Sequence, residues 1–587
     1  MVNLGAVFGN LNNYAEAVPY YEMAIQIKPD LTAAKHNLGA ALHSLKRYQG
    51  ALVILKELAE ENPDFFEAQL SLGHVQRELK QLEGARDSYY AAMEAKPESV
   101  EGLLNYYYTK QQLIEWDDRY ELFEQLHYET QLQLEEDKLP TVSPYFSLLS
   151  RFEPWEMLKI AQLHAKRAQE KVDFITMPRS WYWWSDGRQV SPVPLRIGYI
   201  CADFRMHVTA HLIQTVFARH DRNKFEVFAF ALNADDKSVF RDNIRDSVGS
   251  EYFFDMYSVP DDEAAIQINE FQIHILIDID YYKGRIGILA LRPVPIMVNW
   301  LAHPGTSGAN FVQHIVVDPI VAPPEHSQYF SEGIVYMKHH YQVNDHAAVY
   351  PRTWTFDKAA TRDKESLPQD IFVMANFNGL YKVEPELFAM WMRIMKQVPE
   401  SYLWLVSETA DSNNNVRRRM KAAGVSPSRL IMAEREDFDK HIIRSAAADV
   451  FMDSFIYNAH TTATDVLWNP VPVITYPGVN MNNRLAAGVL WGFGRTAATI
   501  ARSEQDYEEI LGRISVPKVR KWLLEQMTYA DGGVEKRQLF DTQGWVEDFE
   551  CGLRGMWEVY GLKKGTPGHG GAAGFYLVNN PPQRRET

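Results

Sequence analysis

The clearest chemical pattern in the sequence lies in the segment Asp453 to Trp468, DSFIYNAHTTATDVLW. An apolar strand pattern ends in this segment, and His460, Thr461 and Thr462 then open a helical pattern. The free backbone N–H groups of a helix start, the positive end of the helix dipole and two hydroxyls together predict an anion-binding site. Asp465 follows one turn later, where its carboxylate would accept a hydrogen bond from a ribose hydroxyl.

Ordinary structural roles are the alternative for the same residues. Asn458 or Thr461 would serve as the N-cap of the helix, with Asp465 as a first-turn acid. Asp278 and Asp280 have the Asp-x-Asp spacing of some metal sites, but they close a strand pattern, and we interpret them as structural. We therefore predict no metal site.

The composition argues against several classes of function. The chain has 587 residues, which predicts two to four domains, and a formal net charge of −16, which argues against nucleic-acid binding. Its two cysteines, Cys201 and Cys551, form neither a disulfide framework nor a zinc motif. No signal peptide and no apolar run of membrane-spanning length is visible, so we expect a protein of the cytoplasm or nucleus that binds no membrane.

Strands that alternate with helices must position the chemical residues. Buried-strand runs occupy 195–200, 225–232, 273–279 and 296–300, and after a polar boundary further runs occupy 371–377, 402–406, 429–434, 450–455 and 471–476. This alternation predicts parallel α/β sheets in two Rossmann-like lobes, an N-terminal lobe at 195–360 and a C-terminal lobe at 361–564. Ligands bind such sheets at the carboxyl ends of the strands, so we expect the site in a cleft between the lobes.

A helical repeat precedes the two lobes. Three marks recur every 34 residues: Leu-Gly at 4, 38 and 72, Ala at 17, 51 and 85, and Pro at 29, 63 and 97. The pattern resembles the tetratricopeptide repeat, in which glycine and alanine allow close helix packing and proline ends the second helix. The first repeat begins without a cap, so we expect a longer natural array or a truncated start. The repeats would form either a concave peptide-binding surface or a packing platform for the next domain.

We divide the rest of the chain around these blocks. A fourth, degenerate repeat extends the α superhelix to residue 126, and a helical linker follows at 127–194. The linker contains Trp181, Tyr182, Trp183 and Trp184, interpreted as inter-domain packing or as a sugar-stacking platform. The Gly- and Pro-rich tail at 565–587 is predicted to be disordered.

Several motifs, in order along the chain, resemble those of the protein O-GlcNAc transferase family. They are ADFRMHVTAHLI (202–213), WLAHPGTSGANF (300–311), FNGLYKVEP (377–385), AHTT with a following Asp and Leu-Trp (459–468), and MWEVY (556–560). The resemblance covers about 195–562 and lies behind tetratricopeptide repeats. It implies two lobes of the GT-B layout, of which the C-terminal lobe binds the nucleotide sugar, and transfer of N-acetylglucosamine from UDP-GlcNAc to protein Ser or Thr hydroxyls with inversion. We expect no metal cofactor, because Lys382 and the helix start at His460 could stabilise the departing diphosphate.

The resemblance also implies a role for each matching residue. Three residues are implied in catalysis: His207 near the acceptor hydroxyl and a candidate general base, His274 as a second active-site histidine, and Lys382 neutralising the diphosphate. The others are implied to bind the donor: Pro304, Gly305 and Thr306 beside the sugar, His441 and Arg444 beside the nucleoside, and His460, Thr461, Thr462 and Asp465 at the diphosphate and ribose.

The sequence departs from the family pattern at two donor positions. Gly379 stands where the family often has Gln, and Phe438 stands where well-known members have Lys. Two alternatives follow: protein O-fucosylation from GDP-fucose, and a non-catalytic repeat scaffold with a decayed cleft. For the leading hypothesis, the expected partners are protein substrates, bound by the repeats and the cleft, and a nucleotide sugar.

Overall fold

The described chain forms two compact units. The computed structural model describes residues 1–11, 13–177, 194–350, 358–494, 497–529 and 533–562, and a short strand at 575–576. The first unit comprises Met1–Glu135, Gly379–Pro385 and Val406–Pro427, and the second comprises the remaining described residues. The aromatic cluster at 181–184 lies outside the described residues. None of the described helices is long and apolar enough to cross a lipid bilayer.

The first unit is a series of antiparallel helices, as the repeat predicts. They are α1 (Val2–Asn10), α2 (Tyr14–Ile27), α3 (Thr32–Ser44), α4 (Tyr48–Glu61), α5 (Phe66–Glu78), α6 (Leu82–Ala95), α7 (Val100–Gln112) and α8 (Arg119–Glu135). The predicted end of the repeats at residue 126 is wrong, because α8 continues to Glu135. Glu384, 1% exposed, joins this unit through an ion pair of 2.9 Å with Arg119.

The repeating glycines have the predicted packing role. A Cβ atom at Gly73 would lie 2.5 Å from the ring of Tyr89, and one at Gly39 would lie 2.5 Å from Leu55. Real side chains do not approach this closely, so only glycine lets each first helix contact the large residue of the next helix. Ala51 and Ala85 are fully buried at the same interfaces.

The second unit begins with two helices and the N-terminal lobe. These are α9 (Pro144–Ser147), α10 (Pro154–Glu170), β1 (Leu195–Cys201), α11 (Val208–Ile213), β2 (Phe225–Ala231), α12 (Val239–Val248), β3 (Phe253–Asp255), α13 (Asp261–Glu270), β4 (Ile275–Asp278), α14 (Ile286–Ala290), β5 (Ile296–Asn299), β6 (His314–Val317), β7 (Gly333–Tyr336) and α15 (His346–Val349). With the short strand β13 (Phe575–Tyr576) at one edge, the sheet order is β13-β7-β6-β5-β4-β1-β2-β3, and its strands pair in parallel. The four predicted strands are present, and the sequence reasoning missed β3, β6 and β7.

The C-terminal lobe contains the second parallel sheet. Its elements are α16 (Lys358–Lys364), β8 (Phe372–Asn376), α17 (Pro385–Gln397), β9 (Ser401–Val406), α18 (Ala410–Ala422), β10 (Leu430–Ala433), α19 (Phe438–Ser445), β11 (Val450–Met452), α20 (Thr461–Trp468), β12 (Val473–Ile474), α21 (Leu485–Phe493), α22 (Glu504–Ser515) and α23 (Pro517–Tyr529). The strand order is β10-β9-β8-β11-β12. The α/β part of the predicted fold is therefore confirmed, although α18 lies in the first unit.

The last helix, α24 (Thr542–Leu562), does not pack where its sequence position suggested. Trp545 stacks on Trp300 after β5, with ring centroids 5.1 Å apart, and Phe549 stacks on the same indole at 5.2 Å. The assignment of residues up to 564 to the C-terminal lobe is therefore wrong, because α24 covers the N-terminal sheet.

The predicted tail also differs at one place. Phe575–Tyr576 forms β13, which pairs in parallel with β7, so these two residues are not disordered. The remainder of 565–587 lies outside the described residues.

Candidate functional site

The loop before α20 is shaped by a buried carboxylate. Asp453 follows β11 and accepts hydrogen bonds from the backbone N–H of Ser454 at 2.8 Å and of Ala459 at 2.6 Å, and from the Thr475 hydroxyl at 2.7 Å. These contacts fold the loop back on itself, so that α20 begins at Thr461.

No N-cap side chain satisfies the start of α20. The N-cap residue is His460, whose side chain makes no capping hydrogen bond, and Thr461 is already inside the helix. Asn458 donates to the carbonyl of Ser454 within the loop instead. The capping alternative is therefore wrong for Asn458 and Thr461. The first-turn N–H groups of α20 and the half-buried hydroxyls of Thr461 and Thr462 are the donors that an anion site would use, and the anion site stays a prediction.

The N-terminal lobe holds the ring of His460. The Tyr341 hydroxyl lies 2.9 Å from His460 Nε2, and the two rings stack with centroids 5.4 Å apart and an angle of 13°. One turn along α20, Gln342 donates to the Thr464 hydroxyl at 3.0 Å. The segment after β7 therefore positions α20, and sequence reasoning gave no signal for Tyr341.

Asp465 lies between two histidines of the N-terminal lobe. Its Oδ1 is 2.8 Å from His346 Nε2 and 3.4 Å from His211 Nε2, and all three residues are buried. Burial alone would raise the pKa of Asp465, but the two histidines hold it well below its usual range. The expected ribose acceptor is thus a buried, ionised carboxylate. The HxTxH pattern contains His211, but nothing in the sequence identified His346.

His207 lies one turn before His211, at the N-cap of α11. Its Nδ1 is 3.2 Å from Asp203 Oδ2, and its Nε2 is 3.2 Å from the Lys283 ammonium. Burial, followed by the positive charge of Lys283, lowers the pKa of His207 to about 4. The imidazole is therefore neutral near pH 7, and its side chain remains 23% exposed. A neutral, accessible imidazole can accept a proton.

His274 lies at the amino-terminal end of the strands, whereas these residues follow the carboxyl ends. It precedes β4, where its Nδ1 accepts from the backbone N–H of Arg196 at 3.0 Å, and its ring packs edge-on against Trp557 at 4.7 Å. Burial lowers its pKa to about 4. The structure therefore contradicts an active-site position for His274, which is a core histidine beneath α24.

The loop of Pro304, Gly305 and Thr306 follows the carboxyl end of β5, as expected. The Thr306 hydroxyl donates to the buried carboxylate of Glu332 at 2.6 Å, and Asn299 donates to the carbonyl of Gly305 at 3.1 Å. Gly308 has φ +67°, and a Cβ there would lie 2.2 Å from the backbone of α10. The loop borders a cavity of about 40 Å³, which is also lined by Met157, Tyr329, Phe330 and Val479.

The predicted nucleoside residues His441 and Arg444 lie on α19, beside the aromatic ring of Phe377. His441 packs edge-on to that ring at 5.1 Å, and burial lowers its pKa to about 4. Arg444 is 4% exposed and donates to the carbonyl of Glu434 at 2.6 Å. At the start of the same helix, Phe438 stacks on His211 with centroids 4.5 Å apart and an angle of 7°.

The structure thus brings together predicted residues of both lobes. His441 and Arg444 lie on α19, and Thr461, Thr462 and Asp465 lie on α20. His207 and His460 are the N-cap residues of α11 and α20, and His211 of α11 contacts both α19 and α20. Lys382 lies in a short 3-10 turn, Leu380–Lys382, of the first unit, and its role stays a prediction. Most of these residues follow the carboxyl ends of parallel strands, where ligands of such sheets bind.

Comparisons with known proteins agree with this architecture. The sequence model of glycosyl transferase family 41 matches residues 113–355 and 357–549, and a tetratricopeptide-repeat model matches residues 11–72. A solved structure of a Thermobaculum terrenum O-GlcNAc transferase superimposes with a TM-score of 0.67 over 96% of this chain and 97% of that chain, at 20% identity. That likeness confirms the fold of helical repeats followed by α/β lobes.

Two curated relatives extend the comparison. A probable UDP-N-acetylglucosamine–peptide N-acetylglucosaminyltransferase SEC of Arabidopsis thaliana is 33% identical over 457 residues, covering 77% of this chain and 46% of the relative. A UDP-N-acetylglucosamine–peptide N-acetylglucosaminyltransferase of Caenorhabditis elegans is 27% identical over 569 residues, covering 77% and 48%. The chain spans about half the length of these relatives.

Proposed function

Because the chain belongs to glycosyl transferase family 41, we propose that it is an inverting enzyme that moves N-acetylglucosamine from UDP-GlcNAc to Ser and Thr hydroxyls of proteins. The observation that carries this proposal is the start of α20, where His460 is held by Tyr341 and no N-cap side chain occupies the first-turn N–H groups. The names of the two curated relatives support the donor and the acceptor class.

The chemistry follows from the charge that develops during transfer. The acceptor oxygen bonds to the anomeric carbon as the carbon–oxygen bond to the diphosphate breaks, and that electron pair leaves on UDP. Negative charge therefore grows on the diphosphate, where the α20 N-terminus and the hydroxyls of Thr461 and Thr462 would stabilise it.

The acceptor proton needs a base, and His207 is our candidate. With a pKa of about 4, His207 is neutral across the physiological range and can accept that proton at Nε2. Lys283 now lies beside this nitrogen, so the acceptor hydroxyl would have to displace its ammonium group.

We propose that this leaving-group chemistry needs no metal ion. The burial of Asp278 and Asp280 supports this, because their carboxylates face the protein backbone: Asp280 accepts from the N–H of Ala202 at 2.7 Å, and Asp278 from the N–H of Asp280 at 3.4 Å. Such a pair is poorly placed to hold a metal–diphosphate complex.

Protein substrates are the proposed partners, and the helical repeats are the proposed means of binding them. Tetratricopeptide repeats commonly present extended concave surfaces, which supports this role. We expect the enzyme to work in the cytoplasm or nucleus and to bind neither nucleic acid nor membrane.

Ligand-dependent thermal stability tests the donor. UDP, UDP-GlcNAc, UDP-GalNAc, UDP-glucose, GDP and GDP-fucose would each be added to the purified chain. A ligand at a hundredfold excess over its Kd adds about 2.7 kcal/mol to the stability of the folded state. We expect the melting temperature to rise with UDP and UDP-GlcNAc. A transfer assay with labelled UDP-GlcNAc and a protein acceptor would then test the enzymatic activity. A melting temperature that rises only with GDP and GDP-fucose would identify GDP-fucose as the donor. A melting temperature that no ligand raises would favour a non-catalytic scaffold.

The variant His460→Ala tests the site. We expect this variant to abolish turnover. His339→Ala is the matched control, because His339 is also half-buried but lies near Asp548 of α24 and not at the start of α20, and it should keep its turnover. Unchanged turnover in His460→Ala would reject the assignment of the diphosphate to α20.

A further inference from the structure

Three side chains with metal-ligating atoms meet where the two lobes touch. His211 comes from α11, His346 begins α15, and Asp465 comes from α20. One ligand atom from each lies within 4.8 Å of the other two. Each residue is at most 3% exposed. Two imidazoles and a carboxylate are a common ligand set for divalent transition metals.

The hydrogen bonds of His346 leave a lone pair directed at a carboxylate. Its Nδ1 lies 3.2 Å from Asn344 Oδ1, and the Asn344 amide nitrogen donates to the carbonyl of Leu539, which fixes the orientation of that amide. Nδ1 must therefore carry the proton and donate. In the neutral ring the remaining lone pair is on Nε2, which faces Asp465 Oδ1 at 2.8 Å. A lone pair and a carboxylate repel each other, so a cation must lie between them, either a second ring proton, which agrees with the lowered pKa of Asp465, or a metal ion.

His211 has a matching arrangement. Its Nδ1 is 3.0 Å from the Tyr350 hydroxyl, and its buried Nε2 makes no hydrogen bond with any described residue. That nitrogen is 3.4 Å from the same Asp465 oxygen, which is too long for a good hydrogen bond. Phe438 covers the ring of His211 and keeps it away from water. Metal-binding histidines typically have their second nitrogen held in this way.

We propose that His211, His346 and Asp465 bind one divalent transition-metal ion, with Zn²⁺ as the expected species, and that the ion links the two lobes. Zinc bonds of about 2.0–2.2 Å in a tetrahedron place neighbouring ligand atoms about 3.3 Å apart. The separations of 2.8 and 3.4 Å from Asp465 are near this value, and the two histidine nitrogens lie within 4.8 Å of each other, so side-chain shifts that bring the histidines together would admit an ion. A tetrahedral ion with these three ligands would take a water molecule as its fourth ligand.

The site has a consequence for the proposed transferase, and this step rests on that function. If Asp465 accepts from the donor ribose, an ion on the same carboxylate competes with UDP. The metal would then inhibit transfer by occupying Asp465, and it plays no part in the departure of the diphosphate.

Zinc titration of the chelator-treated full chain, followed with a competing chromophoric chelator, tests the site. We expect one Zn²⁺ per chain and a visible d–d absorption when Co²⁺ is used instead. His346→Gln and the isosteric Asp465→Asn should each weaken zinc binding by about a hundredfold or more. His339→Gln, the matched control, should leave zinc affinity unchanged.

The outcomes separate the two proposals. A titration that finds no one-to-one zinc binding in the wild-type protein would overturn the metal assignment, whatever the variants show. The contact between His346 and Asp465 would then be explained by a proton shared between the two side chains. Equal zinc affinity in wild type and both variants, each shown to be folded by circular dichroism, would also overturn it. Zinc binding that UDP does not weaken would support the metal site and remove Asp465 from the donor site.

Discussion

The contact between Tyr341 and His460 gives the sharpest test of the candidate donor site. Tyr341→Phe keeps the aromatic stack at 5.4 Å and removes only the hydrogen bond of 2.9 Å to Nε2. Burial raises the pKa of Tyr341 far above its usual value, so the phenol stays protonated and can donate. Donation to Nε2 leaves the His460 proton on Nδ1. Loss of this bond removes about 1 kcal/mol of the free energy that holds the His460 ring in place, which corresponds to roughly fivefold weaker UDP binding.

A matched pair in the same lobe controls for stability. Tyr199 makes the same kind of buried contact, with its hydroxyl 2.8 Å from His220 Nε2, and Glu550 of α24 holds the other ring nitrogen at 2.9 Å. Calorimetric UDP titrations and thermal midpoints would be measured for Tyr341→Phe and Tyr199→Phe. Both variants should lose comparable stability, and only Tyr341→Phe should lose UDP affinity. Equal UDP affinities in the two variants would refute the reasoning.

Three further predictions concern other parts of the chain. The acid limb of the kcat/KM profile against pH should lie near pH 4, because His207 is neutral above its lowered pKa of about 4. Lys283→Met should move that limb to higher pH, because it removes a positive charge beside His207. A limb that does not move would exclude His207 as the base. His274→Asn should lower the melting temperature through lost packing but leave KM unchanged, and a selective loss of kcat would restore it to the active site. Gly73→Ala should destabilise the repeats by about 1–3 kcal/mol because its Cβ would overlap Tyr89 at 2.5 Å, and denaturant unfolding of the variant showing no loss would contradict this packing.

Local patterns predicted most of the fold. The Gly73 and Ala85 marks report contacts between neighbouring helices, so a 34-residue period is enough to identify them. Central strands such as β1 and β2 are apolar on both faces and are visible as continuous runs. Strands β3, β6 and β7 were missed, although β4 and β5 are as short as β6 and β7, so strand length alone does not explain the difference.

Long-range pairings were not predictable in the same way. Asp465 could be identified as a candidate site residue because it lies near a predicted helix start, but its partner His346 lies 119 positions earlier, outside any motif. His274 shows the converse error, because the resemblance supplied a role without showing which end of β4 the residue occupies. The indole of Trp545 looked like part of the second lobe, since nothing in the local sequence reports that α24 returns to the first sheet.

The return of α24 has a consequence for synthesis on the ribosome. Strands β1 to β7, beside which Trp300 lies, have all been made by Tyr336, yet the helix that covers their sheet is made only after a further 205 residues, from Thr542 onward. At roughly 5–20 residues per second, this interval lasts about 10–40 seconds. During that time one apolar face of the nascent sheet has no permanent cover, so we expect it to be held by a chaperone until the chain closes over it.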